Sequence, residues 1–284
     1  MAERSLEVLR AGPQVTVQDL GRTGRAHLGV PRSGALDGPA HRLANRLVGN
    51  DESAATLECL GGQLTVRART AVTIAVTGAR VPVAVAGRQR EWGNAVAVPA
   101  GAEVELGVAT QGLRAYLAVS GGIAVEPVLG SRSTDLLSGL GPDVVGEGDV
   151  LPVGDRVRSP VPVEAVPAPP VSRVLRMRLG PRDDWFERAC VAALTGSAYV
   201  VGSDSNRIGL RLEGEPIRRR RDDELPSEGM VLGAVQVPPS GQPVVFLHDH
   251  PTTGGYPVVG VVLAEDLATC AQLRPGDEVT LRVV

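Results

Sequence analysis

With 35 glycines and 22 prolines in 284 residues, the backbone is interrupted about once in every five positions. Glycine weakens a helix interior and proline breaks it, so long helices are excluded over most of the chain. The residues between the interruptions are rich in valine and alternate, as short strands do. The runs 70–76, 95–98, 103–108, 114–119, 244–247 and 279–284 are predicted strands. Two stretches have helical spacing. Residues 37–48 place Ala40, Leu43, Ala44 and Leu47 on one face, with Asp37 as N-cap and Gly49-Asn50 as the stop. Residues 183–194 form the second, with Asp183 and Asp184 in the cap region. The expected class is mainly β with a few short helices.

At roughly 150 residues per domain, the length predicts two domains. The segment 159–172 contains Pro160, Pro162, Pro167, Pro169 and Pro170, too many to pair in a sheet, and reads as an extended linker. It separates an expected N-terminal β domain, 1–158, from a C-terminal β domain, 173–284. The two sides open alike, LEVLRAGP from Leu6 and LRMRLGP from Leu175. Each also closes on a Gly-Asp turn before a strand, at Gly148-Asp149 and Gly276-Asp277.

Charged residues make up 21% of the chain and the net charge is −3, an ordinary balance that argues against nucleic acid as a partner. All 29 basic residues are arginine. The absence of lysine excludes a P-loop lysine, a Schiff base, a Ser–Lys nucleophile and covalent biotin on this chain. No run reaches the ~18 apolar residues of a membrane helix, and residues 1–5 carry no signal-peptide pattern. Cys59, Cys190 and Cys270 are odd in number and far apart, as expected of reduced thiols in a cytoplasmic protein.

Two segments concentrate polar residues and glycines. The first runs from VQDLGRTG to GVPRSGALD and offers Asp19, Arg22, Arg32, Ser33 and Asp37. It reads either as a polar site or as a turn-rich loop whose Ser33 and Asp37 cap the following helix. The second spans 227–257 and offers Gln236, Asp249, Thr252, Thr253, Gly254, Gly255 and Tyr256, or else a glycine-rich connection. His248 and His250 would share one strand face and suit a metal, but Pro251 ends the strand and no third ligand is evident, so no metal is expected. Arg218–Arg221, followed by Asp222, Asp223 and Glu224, reads as a charge-compensated surface run.

Taken in order, VQDLGRTG, GVPRSGALDGPAHRLANRLVGN, LECLGG, RAYLAVSGGI, VLGSRSTD, SEGMVLGAVQVPPSGQP and TTGGYP closely resemble the biotin-dependent carboxyltransferase-like family, over nearly the whole chain. The resemblance implies two cyclophilin-like β-barrel domains. It also implies a partner, the B-type chain of 5-oxoprolinase (allophanate hydrolase subunit 1 type), with the A-type chain of that enzyme as a third component. The implied activity is ATP-dependent opening of 5-oxo-L-proline to L-glutamate, with ATP bound somewhere in the complex. Two other activities occur among similar proteins: carboxyl transfer to or from biotin carried by another protein, and KipA-type antagonism of a kinase inhibitor. For opening of 5-oxo-L-proline, Arg22 and Arg32 would hold the substrate carboxylate, Ser33 would also contact substrate, and Asp19 or Asp249 would orient water. Gln236 and Tyr256 would also contact substrate, and Thr252, Thr253 and the Gly254–Gly255 backbone form a nest of donors. The sequence departs from the family pattern at Asp249-His250-Pro251, where Asp-Arg-Gln is usual, and at Gly141-Pro142, where Gly-Arg is usual.

Overall fold

The computed structural model describes residues 4–155, 172–221, 223 and 225–284. All of the expected linker except Ser172 lies outside the described residues. The protein is mainly β and divides into two compact units. One unit holds the described residues of Met1–Arg22, Ser33–Asp135 and Gly139–Pro170. The other holds those of Thr23–Arg32, Leu136–Ser138 and Val171–Val284. Two short segments from the N-terminal half therefore group with the C-terminal unit. No described helix is long and apolar enough to cross a membrane.

In the first unit a six-stranded and a five-stranded sheet share one core. Leu6, Val8 and Val66 come from the first sheet, and Val15, Leu57, Ile74 and Leu117 from the second. The central strands Val72–Arg80 and Gln111–Val119 also carry a helix, Gly38–Leu47, on their other face. Small residues allow the close approach: Ala40 and Ala44 of the helix cluster with Ala75 and Ala118 of the strands. Asp37 caps the helix as expected, its carboxylate accepting from Ala40 N at 3.0 Å. Such a cap contributes about 1 kcal/mol. The buried face is wider than the apolar spacing predicts, because His41 and Asn45 are buried as well.

In the second unit seven strands close into a barrel, which leaves it no free edge. The order around it is Val174–Leu179, Val258–Val262, Ala234–Gln236, Val244–Phe246, Gly209–Glu213, Ala198–Val201 and Glu278–Val283. Beside it, Glu228–Gly229 and Thr253–Gly254 form a two-stranded ladder. The similar openings of the two halves pair differently. Ser5–Arg10 runs antiparallel to Val150–Pro152, whereas Val174–Leu179 runs parallel to Glu278–Val283.

The second predicted helix starts later. A 3-10 turn, Asp183–Trp185, is followed by extended backbone at Phe186 and Glu187, and the helix spans Arg188–Gly196. Tertiary contacts override the local pattern. Trp185 and Phe186 are buried, Arg220 N donates to Trp185 O at 2.7 Å, and Phe186 bridges Arg219. A third helix, Leu267–Gln272, was not expected, and at six residues it is too short to show a period.

His41 supplies a test of the first unit. Its ring is fully buried, with Nδ1 2.9 Å from Thr56 Oγ1 and Nε2 3.0 Å from Glu52 O. Burial disfavours the imidazolium and lowers the pKa from 6.5 to about 4. Between those values the unfolded chain binds a proton that the folded one does not. The contribution to stability is therefore complete above pH 6.5, falls as pH drops, and is gone below pH 4. Urea denaturation at pH 7 and pH 4 should show about 3 kcal/mol more acid loss for the wild type than for His41→Gln. Equal acid sensitivity of the two proteins would refute it.

Candidate functional site

The first polar segment forms a strap over residues 18–37, held by a buried clasp. The Asp19 carboxylate accepts from Ser131 Oγ at 2.6 Å, Ser133 Oγ at 2.7 Å, Arg132 N at 2.6 Å and Gly21 N at 2.8 Å. Burial alone would raise its pKa. The serine hydroxyls and backbone amides outweigh burial and hold the carboxyl below its ordinary value. Arg22 is buried and points into protein carbonyls, with Nε 3.0 Å from Val128 O and Nη2 2.6 Å from Ser133 O. Its Nη1 donates to Ser33 Oγ at 3.2 Å, and Ser33 in turn donates to Asp135 Oδ2 at 2.6 Å. Ser33 is held at φ 54°, in the left-handed region. Gly34 follows at φ 97°, where a Cβ would meet Gly21 N at 2.9 Å. The close crossing of the strap on itself is what requires glycine there.

Deeper in the same unit, Glu58 Oε2 accepts from Tyr116 Oη at 2.7 Å and from Leu36 N at 3.0 Å. Tyr116 Oη accepts from Asp37 N at 2.8 Å. Burial, followed by the charges of Glu58 and Asp37, pushes the Tyr116 phenol up, so it stays protonated and able to donate. The strap is thus fixed at its start by Asp19 and at its end by Glu58. Arg32 differs from Arg22. It is exposed and, among the described residues, has no ion pair or hydrogen bond.

In the second unit Asp249 is fully buried and forms a two-pronged pair with Arg207, which is buried too. Arg207 Nε reaches Asp249 Oδ2 and Nη2 reaches Oδ1, each at 2.9 Å, and Leu136 N adds a bond of 3.1 Å to Oδ2. Arg207 carries no sequence signal, since it is a lone arginine in a turn 42 residues from its partner. Gln236 ends its strand buried at 6% exposure, with Nε2 donating to Tyr256 O at 3.2 Å. Tyr256 is exposed, and the Arg219 guanidinium lies over its ring at 5.4 Å while donating to Val237 O at 2.6 Å. Arg219 belongs to the run read as surface, yet alone of its four arginines it is half-buried. Arg182 pairs with Glu228 at the two-stranded ladder.

The donor nest is not formed as expected. Gly254 sits in that ladder, and neither it nor Gly255 has positive φ. Gly254 instead lies beside Gln236, where an added Cβ would be 2.8 Å from Nε2 and would push the amide aside. Thr253 is exposed and Thr252 half-buried, Thr252 O accepting from Met230 N at 2.9 Å. His248 and His250 lie beyond the strand Val244–Phe246, and His250 stacks on Phe246 at 5.8 Å. The cysteines are free. Burial pushes the Cys270 thiol up to about 12 and raises Cys59 above its ordinary value, which leaves both as poor nucleophiles.

Residues 28–283 match the family model described as carboxyltransferase domain, subdomain A and B. The chain is 40% identical to the C subunit of 5-oxoprolinase from Escherichia coli (strain K12), over 96% of this chain and 89% of that protein. It superposes on the crystal structure of TTHA0988 with a TM-score of 0.89 and 35% identity, covering 100% of this chain and 56% of that one. On the urea carboxylase of Kluyveromyces lactis the TM-score is 0.89 with 30% identity, covering 99% of this chain and 27% of that one. In both solved relatives this chain matches one part of a longer polypeptide.

The Arg207–Asp249 pair yields a stability test. Arg207→Met leaves a buried carboxylate without its cation and should lower the unfolding free energy by about 3–5 kcal/mol in urea denaturation. Arg207→Met combined with Asp249→Leu should recover much of that loss. A single variant as stable as the wild type would show that the pair does not hold the turn.

Proposed function

The chain belongs to the carboxyltransferase domain family, subdomain A and B, and from that premise we propose that it works as the C-type component of an ATP-dependent 5-oxoprolinase. The observation that carries the proposal is the 40% identity to the C subunit of 5-oxoprolinase, which extends over nearly the full length of both proteins. The activity belongs to a complex with a B-type chain and an A-type chain, in the cytoplasm. The lactam of 5-oxoproline is a planar, unreactive amide. Transfer of a phosphoryl group from ATP to its oxygen activates the ring carbon; water adds there, the C–N bond breaks with the nitrogen leaving as the amine, and a second water releases phosphate from the resulting acyl phosphate to give glutamate. Such chemistry needs an anchor for the substrate carboxylate and fixed partners for the lactam.

The geometry supports a division of roles. Asp19 and Asp249 are surrounded by internal donors, so in this reading they hold the loops that carry the site and do not move protons themselves. Arg22 likewise serves the strap. Arg32, exposed and held between buried Pro31 and the locked Ser33, is the arginine suited to the substrate carboxylate. Gln236, Thr253 and Tyr256, in the same unit as Arg32, supply recognition.

A second reading is favoured by one observation, the superposition on a urea carboxylase at 30% identity. It makes the chain a carboxyltransferase that acts on biotin carried by another protein, since this chain has no lysine to carry it. Supplying the purified complex with a carrier already carboxylated on its biotin, and following loss of that carboxyl group, separates the two readings.

The isolated chain should show no 5-oxoproline-dependent ATP hydrolysis, and co-purification with the B-type and A-type chains should restore it. Robust turnover by the isolated chain, or none by the complete complex, would overturn the proposal. In the complex, Arg32→Ala should raise KM for 5-oxoproline about 10–150-fold without changing Tm, the loss expected for one arginine–carboxylate contact. Arg22→Ala should instead lower Tm. An unchanged KM for Arg32→Ala would remove it from the site.

A further inference from the structure

Gln236 places a lone amide in apolar surroundings. Its strand alternates, so Ala234 and Gln236 share one face and Val235 takes the other. Directly across the ladders from Gln236 stand Val244 and Val258, which cluster with Met230, Ala234 and Phe246. The amide orientation is fixed by chemistry. Nε2 meets the Tyr256 carbonyl at 3.2 Å, and a carbonyl oxygen can only accept, so the nitrogen is on that side. Oε1 is therefore directed away from it, and among the described residues no group donates to it. Oε1 is not among the partnerless atoms cut off from solvent, so it stands open to an incoming donor. The Gly254 backbone lies beside the amide, where an added Cβ would come within 2.8 Å of Nε2.

We propose that Gln236 Oε1 accepts a hydrogen bond from the N–H of a small cyclic amide or ureide, and that this contact makes the protein select an N–H over an N-alkyl group or a ring oxygen at that position. The inference rests on the proposed 5-oxoprolinase reading for its ligand class, and it goes beyond that reading in assigning the atom that decides specificity. The apolar cluster beside Gln236 suits the ring carbons. The exposed Tyr256 ring, with Arg219 over it, marks the open side where the polar end of the ligand meets solvent. A site that offers a fixed acceptor discriminates strongly against a ligand without the matching donor, because both partners then lose hydrogen bonds to water.

The test is a binding comparison on the assembled complex by calorimetry. The probes are 5-oxo-L-proline, its N-methyl derivative, its lactone counterpart, and 2-oxoimidazolidine-4-carboxylate as a ureide that keeps the N–H. The wild type should bind the N–H ligand about 10- to 100-fold more tightly than the N-methyl and lactone forms. Gln236→Leu should reduce that ratio to near one. Gln236→Met, closer in shape, should do the same if the leucine variant fails to fold. If the ureide shows Gln236-dependent selection and 5-oxoproline does not bind, the inference stands and the 5-oxoprolinase reading falls. Equal binding of N–H and N-methyl ligands by the wild type, a preference that survives both substitutions, or no binding of any probe at millimolar concentration would overturn the inference.

Discussion

A carboxylate taken out of water must be given donors or it destabilises the fold, and each unit of this protein contains one whose donors come from distant loops. Asp19 collects hydroxyls and amides from Ser131, Arg132 and Ser133, more than a hundred residues along the chain. Asp249 collects the Arg207 guanidinium and the Leu136 amide. The segments joined in this way are irregular, with no sheet ladder to fix them. Their positions depend on these bonds, so the place of every exposed group they carry depends on them too.

The same long separations explain what the sequence could reveal. The six predicted strands and the helix Gly38–Leu47 are governed by local spacing and a cap three residues from its partner, and they were legible, whereas others such as Thr56–Leu60 and Val174–Leu179 were not predicted. The polar density around Asp19 and Asp249 was legible as well, but its purpose was not. A catalytic carboxylate and a carboxylate that clasps a loop look alike until their donors are seen. Arg207 had no signal at all. Arg219 was hidden in a run whose net charge is compensated, a property that does not distinguish one inward-turned arginine from three exposed ones. Gly254 was noticed for backbone freedom, whereas in the structure it has no positive φ and lies close beside Gln236.

The absence of lysine gives the charged contacts a common character. Guanidinium is planar, so it can fork onto a carboxylate or lie over an aromatic ring, which an ammonium does less well. Both geometries recur here. Arg207 forks onto Asp249 and Arg176 onto Asp266, while Arg219 covers Tyr256 and Arg80 covers Trp92. Arginines committed in this way are structural, which separates them from exposed ones such as Arg32 that remain open to a ligand.

His250 shows how such a frame can alter recognition without altering the fold. The family pattern read from the sequence has arginine at this position. Here a histidine is buried instead, stacked on Phe246 with the ring planes 15° apart and Nδ1 2.7 Å from Pro251 O. Phe246 belongs to the apolar cluster beside Gln236, so the imidazole extends that cluster where a guanidinium would have brought a permanent charge. The neighbouring Asp249 keeps its two-pronged partner in Arg207, and the turn therefore needs no second arginine to hold it. A site with one cation fewer and a larger apolar floor favours ligands with less negative charge near their ring. Restoring the arginine with His250→Arg should therefore shift the preference of the complex toward more anionic ring substituents while leaving the barrel intact. The measurement is competition between neutral and carboxylated lactams for the wild type and the variant, and an identical ranking in both would show that residue 250 packs the turn without shaping selectivity.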